Sequence, residues 1–282
     1  MDTTDGWPAP AKLNLFLHIL GRQEDGYHRL QTVFQFLDCC DTIHIIPRTG
    51  GVLRLSPAVP GVAAEGNLVI RAARALQQAT GCRLGADIVL EKRIPVGGGL
   101  GGGSSDAATT LLALDHLWGL HLGEDRLAEI GLALGADVPV FVRGRAAWAE
   151  GVGEVLTPVE LPEPWYVVLV PACEISTADV FSTPELTRDT APTTIPAFSF
   201  GDGRNDCEAV VRARYPQVDR AIVRLQRHAP ARLTGTGGCV FAAFAEAAPA
   251  RRALAGCRND GWRGFLARGL NRSPVLGRLP AT

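Results

Sequence analysis

The stretch that decides the fold reads Pro95-Val96-Gly97-Gly98-Gly99-Leu100-Gly101-Gly102-Gly103-Ser104-Ser105-Asp106-Ala107-Ala108. Six of the seven residues from 97 to 103 are glycine. Each glycine loses more backbone freedom on folding than any other residue, so a cluster this dense is hard to order, and what it offers in return is positive φ or close approach to a ligand. Before it, the alternating Ala86-Asp87-Ile88-Val89-Leu90-Glu91 predicts a strand, and after it Ser104 opens a long apolar pattern of helical period. Strand, glycine loop and helix in that order suit an anion. Unhindered N–H groups form a concave nest, and the first helical turn adds orphan donors and the positive end of its dipole. Two readings of the cluster stand, a cradle for nucleotide phosphates and a flexible turn capped by Ser104 or Ser105, and the flanking elements favour the cradle.

Two familiar nucleotide loops fit poorly. Gly97, Gly99 and Gly102 satisfy G-x-G-x-x-G, but a run this rich matches almost automatically, and no strand follows the helix soon enough to complete a dinucleotide unit. A Walker loop ends in Gly-Lys-Ser/Thr, whereas Gly103 runs directly into Ser104, and the protein-kinase catalytic-loop and DFG elements are missing.

The 282 residues suit two domains or one large one, and 46% hydrophobic with 20% charged residues is ordinary for a soluble globular chain. A net charge of −1 without a basic block argues against a nucleic-acid partner. The acidic, polar start Met1-Asp2-Thr3-Thr4-Asp5-Gly6 is unlike a signal peptide, and no apolar run approaches the about 20 residues of a membrane helix. The expectation is a cytoplasmic protein with no membrane partner; the oligomeric state is not legible. Seven scattered cysteines and six histidines show no ligand spacing, so free thiols and no bound metal are expected. Of 28 basic residues only Lys12 and Lys92 are lysine. An ammonium is a compact point charge, so lysine persists where a planar guanidinium does not fit, or the two are ordinary surface survivors.

Residues 11 to 19 alternate, with Ala11, Leu13, Leu15, Leu17 and Ile19 on one face and Lys12, Asn14, Phe16 and His18 on the other. A turn at Gln23-Glu24-Asp25-Gly26 and apolar runs at 33–37 and 43–46 predict a β-rich N-terminal segment. Asn67 is placed to cap a helix over Val69, Ala72, Ala73 and Leu76 that ends near Gly81. Leu127, Ile130 and Leu134 predict a helix ending at Gly135. The Val138-Pro139 step disfavours further helix, which leaves Asp137 at a junction, and a strand pair is expected around 141–150. Gly151 and Gly153 mark a boundary, giving units 1–153 and 154–282. The second begins with a strand at 165–170, passes a Pro/Thr-rich loop at 183–196, and carries helical patterns near 207–214 and 218–228 before Leu233-Thr234-Gly235-Thr236-Gly237-Gly238. Strand and helix alternate as in an α+β protein.

Three separated stretches, Pro10-Ala11-Lys12-Leu13-Asn14-Leu15, the run from Pro95 to Ala108, and Leu233 to Gly238, together resemble the three motifs of the GHMP kinases, small-molecule kinases that include galactokinase, homoserine kinase and mevalonate kinase. Asp25-Gly26-Tyr27-His28 and Gly135-Ala136-Asp137-Val138-Pro139 are similar to the branch that phosphorylates 4-diphosphocytidyl-2-C-methyl-D-erythritol in the non-mevalonate route to isoprenoid precursors. The resemblance covers nearly the whole chain. It implies a two-domain fold, an N-terminal unit like ribosomal protein S5 domain 2 and a C-terminal ferredoxin-like unit, with the active site between them. It also implies transfer of the γ-phosphoryl group of ATP, accompanied by Mg²⁺, to the substrate 2-hydroxyl.

By the same resemblance Asp137 is the general base and Lys12 steadies that base and the transferring group. ATP is held by Asn67, Lys92, Pro95, Gly97, Gly98, Gly99, Leu100, Gly101, Gly102, Gly103, Ser104 and Ser105, with Asn67 and Lys92 toward the adenine. The cytidyl substrate falls to Asn14, Tyr27, His28, Thr177, Phe181, Thr236 and Gly237, with Tyr27 and Phe181 stacking on the base and His28 bonding to it. From the residues alone, Asp137 also reads as a surface or capping carboxylate, Lys12 as a solvated strand lysine and Asn67 as a cap needing no nucleotide. Asp106, in the first turns of the phosphate-binding helix, either points away from ATP or reaches Mg²⁺ through water. A kinase for another small alcohol and a nucleotide-binding module without chemistry are the rivals; Tyr27-His28 speaks against the first and Lys12 with Asp137 against the second.

Overall fold

A computed structural model of the chain describes residues 6–24, 26–57, 66–195 and 203–280, so Asp25 of the first turn, Pro196 at the end of the Pro/Thr-rich loop and the acidic start at 1–5 lie outside the described residues. The N-terminal segment is two long antiparallel strands, β1 (Trp7–Arg22) and β2 (His28–Arg48). Their register shifts between Pro10 and Lys12, between Asn14 and Leu17, and between Ile19 and Gly21. Irregularities of that kind break strict alternation. Phe16, expected to share a face with Lys12, packs instead with Leu13, Leu15 and Trp148 in the core. β2 is one strand of 21 residues rather than two runs, continuous through the polar stretch Asp38 to Thr42.

The remaining strands are β3 (Leu53–Ser56), β4 (Gly85–Glu91), β5 (Ala147–Glu150), β6 (Val155–Pro158), β7 (Trp165–Leu169), β8 (Ala231–Leu233), β9 (Val240–Phe244) and β10 (Gly264–Leu270). They join in the order β3-β4-β2-β10-β7-β9-β8, with β1 and β5 also paired to β2 and β6 to β5. The helices are α1 (Leu68–Thr80), α2 (Gly102–Leu117), α3 (Glu124–Leu132), α4 (Val138–Arg143), α5 (Thr177–Ser182), α6 (Glu208–Arg214), α7 (Pro216–Gln226) and α8 (Ala247–Asn259). In the second half, β7, β8, β9 and β10 stand in the order β10-β7-β9-β8 with helices between β7 and β8 and between β9 and β10, the ferredoxin-like βαββαβ arrangement. β10 bridges the halves, pairing with β7 from Gly264 to Arg268 and with Leu37 and Phe36 of β2 through Gly269 and Leu270.

One apolar core lies between β2, β4 and helices α1 to α4, and a second between β7 to β9 and helices α6 to α8. A third cluster joins them and takes in Leu100, the one non-glycine in the run from 97 to 103. Its side chain is almost fully buried, which stabilises the fold by about 1.5–3 kcal/mol and pins an otherwise featureless loop. Its carbonyl accepts from the Lys12 N–H at 2.9 Å, tying the loop to β1.

Several boundaries differ from expectation for local reasons. Asn67 caps α1 and Gly81 ends it in the left-handed conformation, as the sequence predicts. α2 starts at Gly102, two residues before Ser104, with Gly101 as its cap. The Val138-Pro139 step begins α4 instead of ending a helix, because proline is tolerated in a first turn, whose N–H groups have no intrahelical partner. Phe141 is therefore helical, and only Ala147–Glu150 of the expected strand pair at 141–150 is strand, pairing with β2 and β6.

Candidate active site

Two clefts meet at the glycine loop. One, of about 420 Å³, follows residues 95–104 and is closed by Asn67, Leu90, Lys92 and Asp106. The other, of about 330 Å³, is lined by Lys12, Asn14, Asp137, Thr177, Phe181 and Thr236 among others. Gly99, Gly101 and Ser104 face both, so the loop is the wall between them.

The wall is thin because side chains cannot be accommodated in it. Gly97, Gly99 and Gly101 have φ of 71°, 75° and 71°, the left-handed region. A Cβ on Gly99 would overlap the Thr234 carbonyl oxygen and stand 2.9 Å from that of Gly237. On Gly101 it would lie 2.8 Å from the Phe141 ring and 3.1 Å from Lys12 Cε. The third motif grips the loop from its other side, where the Cys239 N–H donates to the Gly98 carbonyl at 3.0 Å. At the start of α2, Gly101 offers no capping side chain. The amides of Gly102, Gly103 and Ser104 precede the first intrahelical bond, from the Ser105 N–H to the Gly101 carbonyl at 2.8 Å. Such a helix end, with its dipole, suits phosphate oxygens.

Lys12 is buried in the second cleft and surrounded by oxygens, as a buried ammonium must be. Its Nζ donates to Asn14 Oδ1 at 2.5 Å and to the Gly99 carbonyl at 3.2 Å, lies 3.2 Å from Asp137 Oδ2, and stands 5.3 Å from the centroid of the Phe34 ring. Asn14 is held in turn: its N–H donates to Thr234 Oγ1 and its Nδ2 to Thr32 Oγ1, both at 3.0 Å. The first and third motifs are thus tied together through Asn14. Asp137 precedes α4 without capping it, and its side chain is 34% exposed, open to the cleft while paired to Lys12.

Both lysines of the chain lie at the clefts. Lys92 Nζ bridges Asp41 Oδ2 at 2.5 Å and Asp106 Oδ2 at 2.7 Å. Asp106 is therefore turned to Lys92. Asn67 spends Oδ1 on the Val69 N–H at 2.9 Å and keeps its place on the cleft wall. Ser105 is buried behind the wall, with no hydrogen-bond partner for its Oγ among the described residues.

At the far end of the second cleft, Thr177 and Thr236 bring their Oγ1 atoms to 2.8 Å, and Phe181 on α5 stacks on His28 with ring centroids 5.0 Å apart and planes at 26°. Arg188 fixes this pair. Its Nε donates to His28 Nε2 at 3.1 Å, and its Nη2 donates to the carbonyls of Phe181 and Thr183 at 2.8 and 2.7 Å. Burial, then the cations of Arg188 and Arg22, hold the His28 pKa below its ordinary value. Tyr27 is 64% exposed beyond the cleft wall, and Gly237, at φ 127°, lies against Ile175 in the turn beside Thr236. Sequence reasoning missed Asp41 and Arg188. Asp41 sits in a polar break between apolar runs and Arg188 in a loop rich in proline and threonine, where neither gives a signal.

Among the described residues no group of three or more His, Cys, Asp and Glu side chains is placed to hold a metal ion, and no helix is long and apolar enough to cross a membrane. The seven cysteines are free.

This arrangement of sheet, clefts and glycine wall has known counterparts. The sequence pattern of the GHMP kinases N terminal domain matches residues 67–145, and that of the GHMP kinases C terminal domain matches 194–261. The chain belongs to the GHMP kinase family and is a kinase. It is 59% identical over 277 residues to the 4-diphosphocytidyl-2-C-methyl-D-erythritol kinase of Ectopseudomonas mendocina, covering 97% of this chain and 94% of that one. It is 60% identical over 272 residues to the kinase of the same name from Pseudomonas syringae pv. tomato, covering 96% of each. A crystal structure of 4-(cytidine 5'-diphospho)-2C-methyl-D-erythritol kinase superposes with a TM-score of 0.82 at 33% identity, over 94% of this chain and 98% of that one. A homoserine kinase from Cytophaga hutchinsonii shares the fold, with a TM-score of 0.73 at 16% identity over 97% and 96% of the two chains.

Proposed function

We propose that the protein transfers the γ-phosphoryl group of ATP to the 2-hydroxyl of 4-diphosphocytidyl-2-C-methyl-D-erythritol, a step toward isoprenoid precursors. The observation that carries this reading is the shared wall: a nucleotide-sized cleft and an acceptor cleft have Gly99, Gly101 and Ser104 in common, with Lys12 and Asp137 on the acceptor side. The names and identity of the relatives support the substrate.

Phosphoryl transfer leaves little covalent work to the protein; positioning and charge do most of it. The amides at the start of α2 hold the phosphate tail so that the γ-phosphorus faces the acceptor cleft. Mg²⁺, entering with ATP as part of the substrate, would offset the negative charge of the phosphate oxygens during transfer. An Asp137 oxygen takes the proton of the substrate hydroxyl as the new O–P bond forms and the bond from the γ-phosphorus to the ADP oxygen breaks. Lys12, fixed by Asn14 and the Gly99 carbonyl, orients the carboxylate and lies beside the wall where negative charge gathers. His28 and Phe181, held by Arg188, form the cytidine end. The seven free thiols suit a reducing cytoplasm.

A coupled ADP-release assay against the cytidyl substrate, mevalonate, homoserine and galactose tests the reading. Turnover with the first alone is expected, and turnover with another alcohol only would overturn it. His28→Ala is expected to raise KM for the cytidyl substrate by about tenfold, the worth of one buried hydrogen bond, while KM for ATP stays near the wild-type value. Steady-state kinetics with each substrate varied in turn checks this; equal rises in both would remove the cytidine end from this pair of rings.

A further inference from the structure

The nucleotide cleft contains a charge arrangement that phosphoryl transfer does not require. One ammonium, Lys92 at the end of β4, sits between two buried carboxylates, Asp41 on β2 and Asp106 on α2. Asp41 is fully enclosed and fully engaged, since its Oδ1 also accepts from the Arg93 and Ile94 N–H groups at 2.5 and 2.8 Å. Asp106 is different. It is 3% exposed and lines the cleft, yet its Oδ1 has no hydrogen-bond partner among the described residues. Two negative charges against one positive leave an excess negative charge beside the first turn of α2, where Lys92 Nζ would stand 3.3 Å from a Cβ on Gly102. A triphosphate brought to that turn meets a like charge across a medium that screens it weakly.

We infer that Asp106 is a positioning residue that takes up a proton when nucleotide binds. The proton comes from water and settles on Oδ1, the oxygen not paired with Lys92. Oδ2 continues to accept from Nζ, the ammonium keeps its charge and its pair with Asp41, and the excess negative charge beside the turn is removed. This inference rests on the assignment of the first cleft to ATP. Burial pushes the Asp106 carboxyl up to about 7, with Lys92 opposing and Asp41 reinforcing the rise. Burial works against the Lys92 charge, but Asp106 and Asp41 outweigh it and hold the lysine above its ordinary value. The proton exchanged near neutrality is therefore the aspartate's. Charged groups on the elements packed against α2 have partners of their own or stand in solvent: Lys12 on β1 pairs with Asp137, His44 on β2 with Glu91 of β4, and Arg143 on α4 with Glu124 and Asp125 of α3, Asp115 on α2 accepts from the Leu122 N–H, and Arg71 and Arg74 of α1 are exposed.

Calorimetric titration with Mg·ADP in two buffers of different ionisation enthalpy counts the protons. At pH 8 the wild-type protein is expected to take up about one proton per nucleotide, falling toward zero at pH 6, with Kd weakening about tenfold from pH 6 to pH 8. Asp106→Asn keeps the shape and removes the titration, so its uptake should match that of the ligand alone and its Kd should not follow pH. A wild-type binding heat at pH 8 that is the same in both buffers overturns the inference without any variant. Uptake that persists in Asp106→Asn overturns it as well. Failure of the wild-type protein to bind nucleotide at all would instead remove the cleft's assignment, and the inference with it.

Discussion

Asp137→Asn is expected to lower kcat by about 10²–10⁴-fold, the range spanned by general-base catalysis, while the Kd for ATP stays within about twofold of wild type. The asparagine keeps the shape of the carboxylate and its reach to Lys12, but it cannot accept the hydroxyl proton. Asp137 lines only the acceptor cleft, so the nucleotide loses no contact. Lys12 loses a charged partner at 3.2 Å yet retains Asn14 Oδ1 and the Gly99 carbonyl, which keeps its ammonium from being stranded. Single-turnover rates with saturating ATP, set beside calorimetric ATP binding, separate the two effects. A kcat within tenfold of wild type would remove Asp137 from the chemistry.

Gly99→Ala is the second large effect. Alanine at φ 75° costs about 1–2 kcal/mol by itself, and its Cβ would press on the carbonyls of Thr234 and Gly237, main-chain atoms that cannot swing aside. Overpacking of this sort costs about 1–3 kcal/mol more. The loop can escape only by leaving the third motif, which opens the wall between the clefts. A fall in Tm together with a loss of at least about tenfold in kcat/KM for both substrates is expected. Gly97→Ala is the internal control, because its φ is also positive at 71° but no atom lies within 4 Å of the added Cβ. Thermal melts and initial rates of the two variants should rank Gly99→Ala well below Gly97→Ala. Equal effects would mean that backbone strain alone, and not contact with the third motif, shapes the wall.

The features legible in the sequence are those whose cause is local. Asn67 and Gly81 bracket α1 because a cap oxygen and a left-handed exit are written at single positions. The glycine cluster is legible in the same way as a turn that needs positive φ and close packing. Features set by distant partners were not legible. Asp38 to Thr42 reads as a break between two apolar runs, yet β2 passes straight through it, and Asp41 is polar there because Lys92, 51 residues later, needs a counter-charge. The Val138-Pro139 step is ambiguous in isolation, since proline both ends and begins helices, and only packing of α4 against α2 and α3 selects the second outcome. Lys12 and Asp137 are 125 positions apart, and no period or spacing joins them; family resemblance named both, and the fold brings them within 3.2 Å. Arg188 acts largely through carbonyl oxygens, which carry no residue identity for a sequence to display, and its side-chain partner, His28, lies 160 residues away.

β10 is hydrogen-bonded to both β7 and β2, so the domain that carries the ferredoxin-like order and the one that carries the glycine loop share one strand. The lobes are thus joined by main-chain hydrogen bonds as well as by the chain itself. A frame that stays fixed would leave access to the segments at the cleft rims, so that neither ligand need wait for the other to bend the protein into shape. Initial-velocity lines that intersect, with dead-end analogues of each substrate competing only against their own counterpart, are the kinetic signature of such a frame.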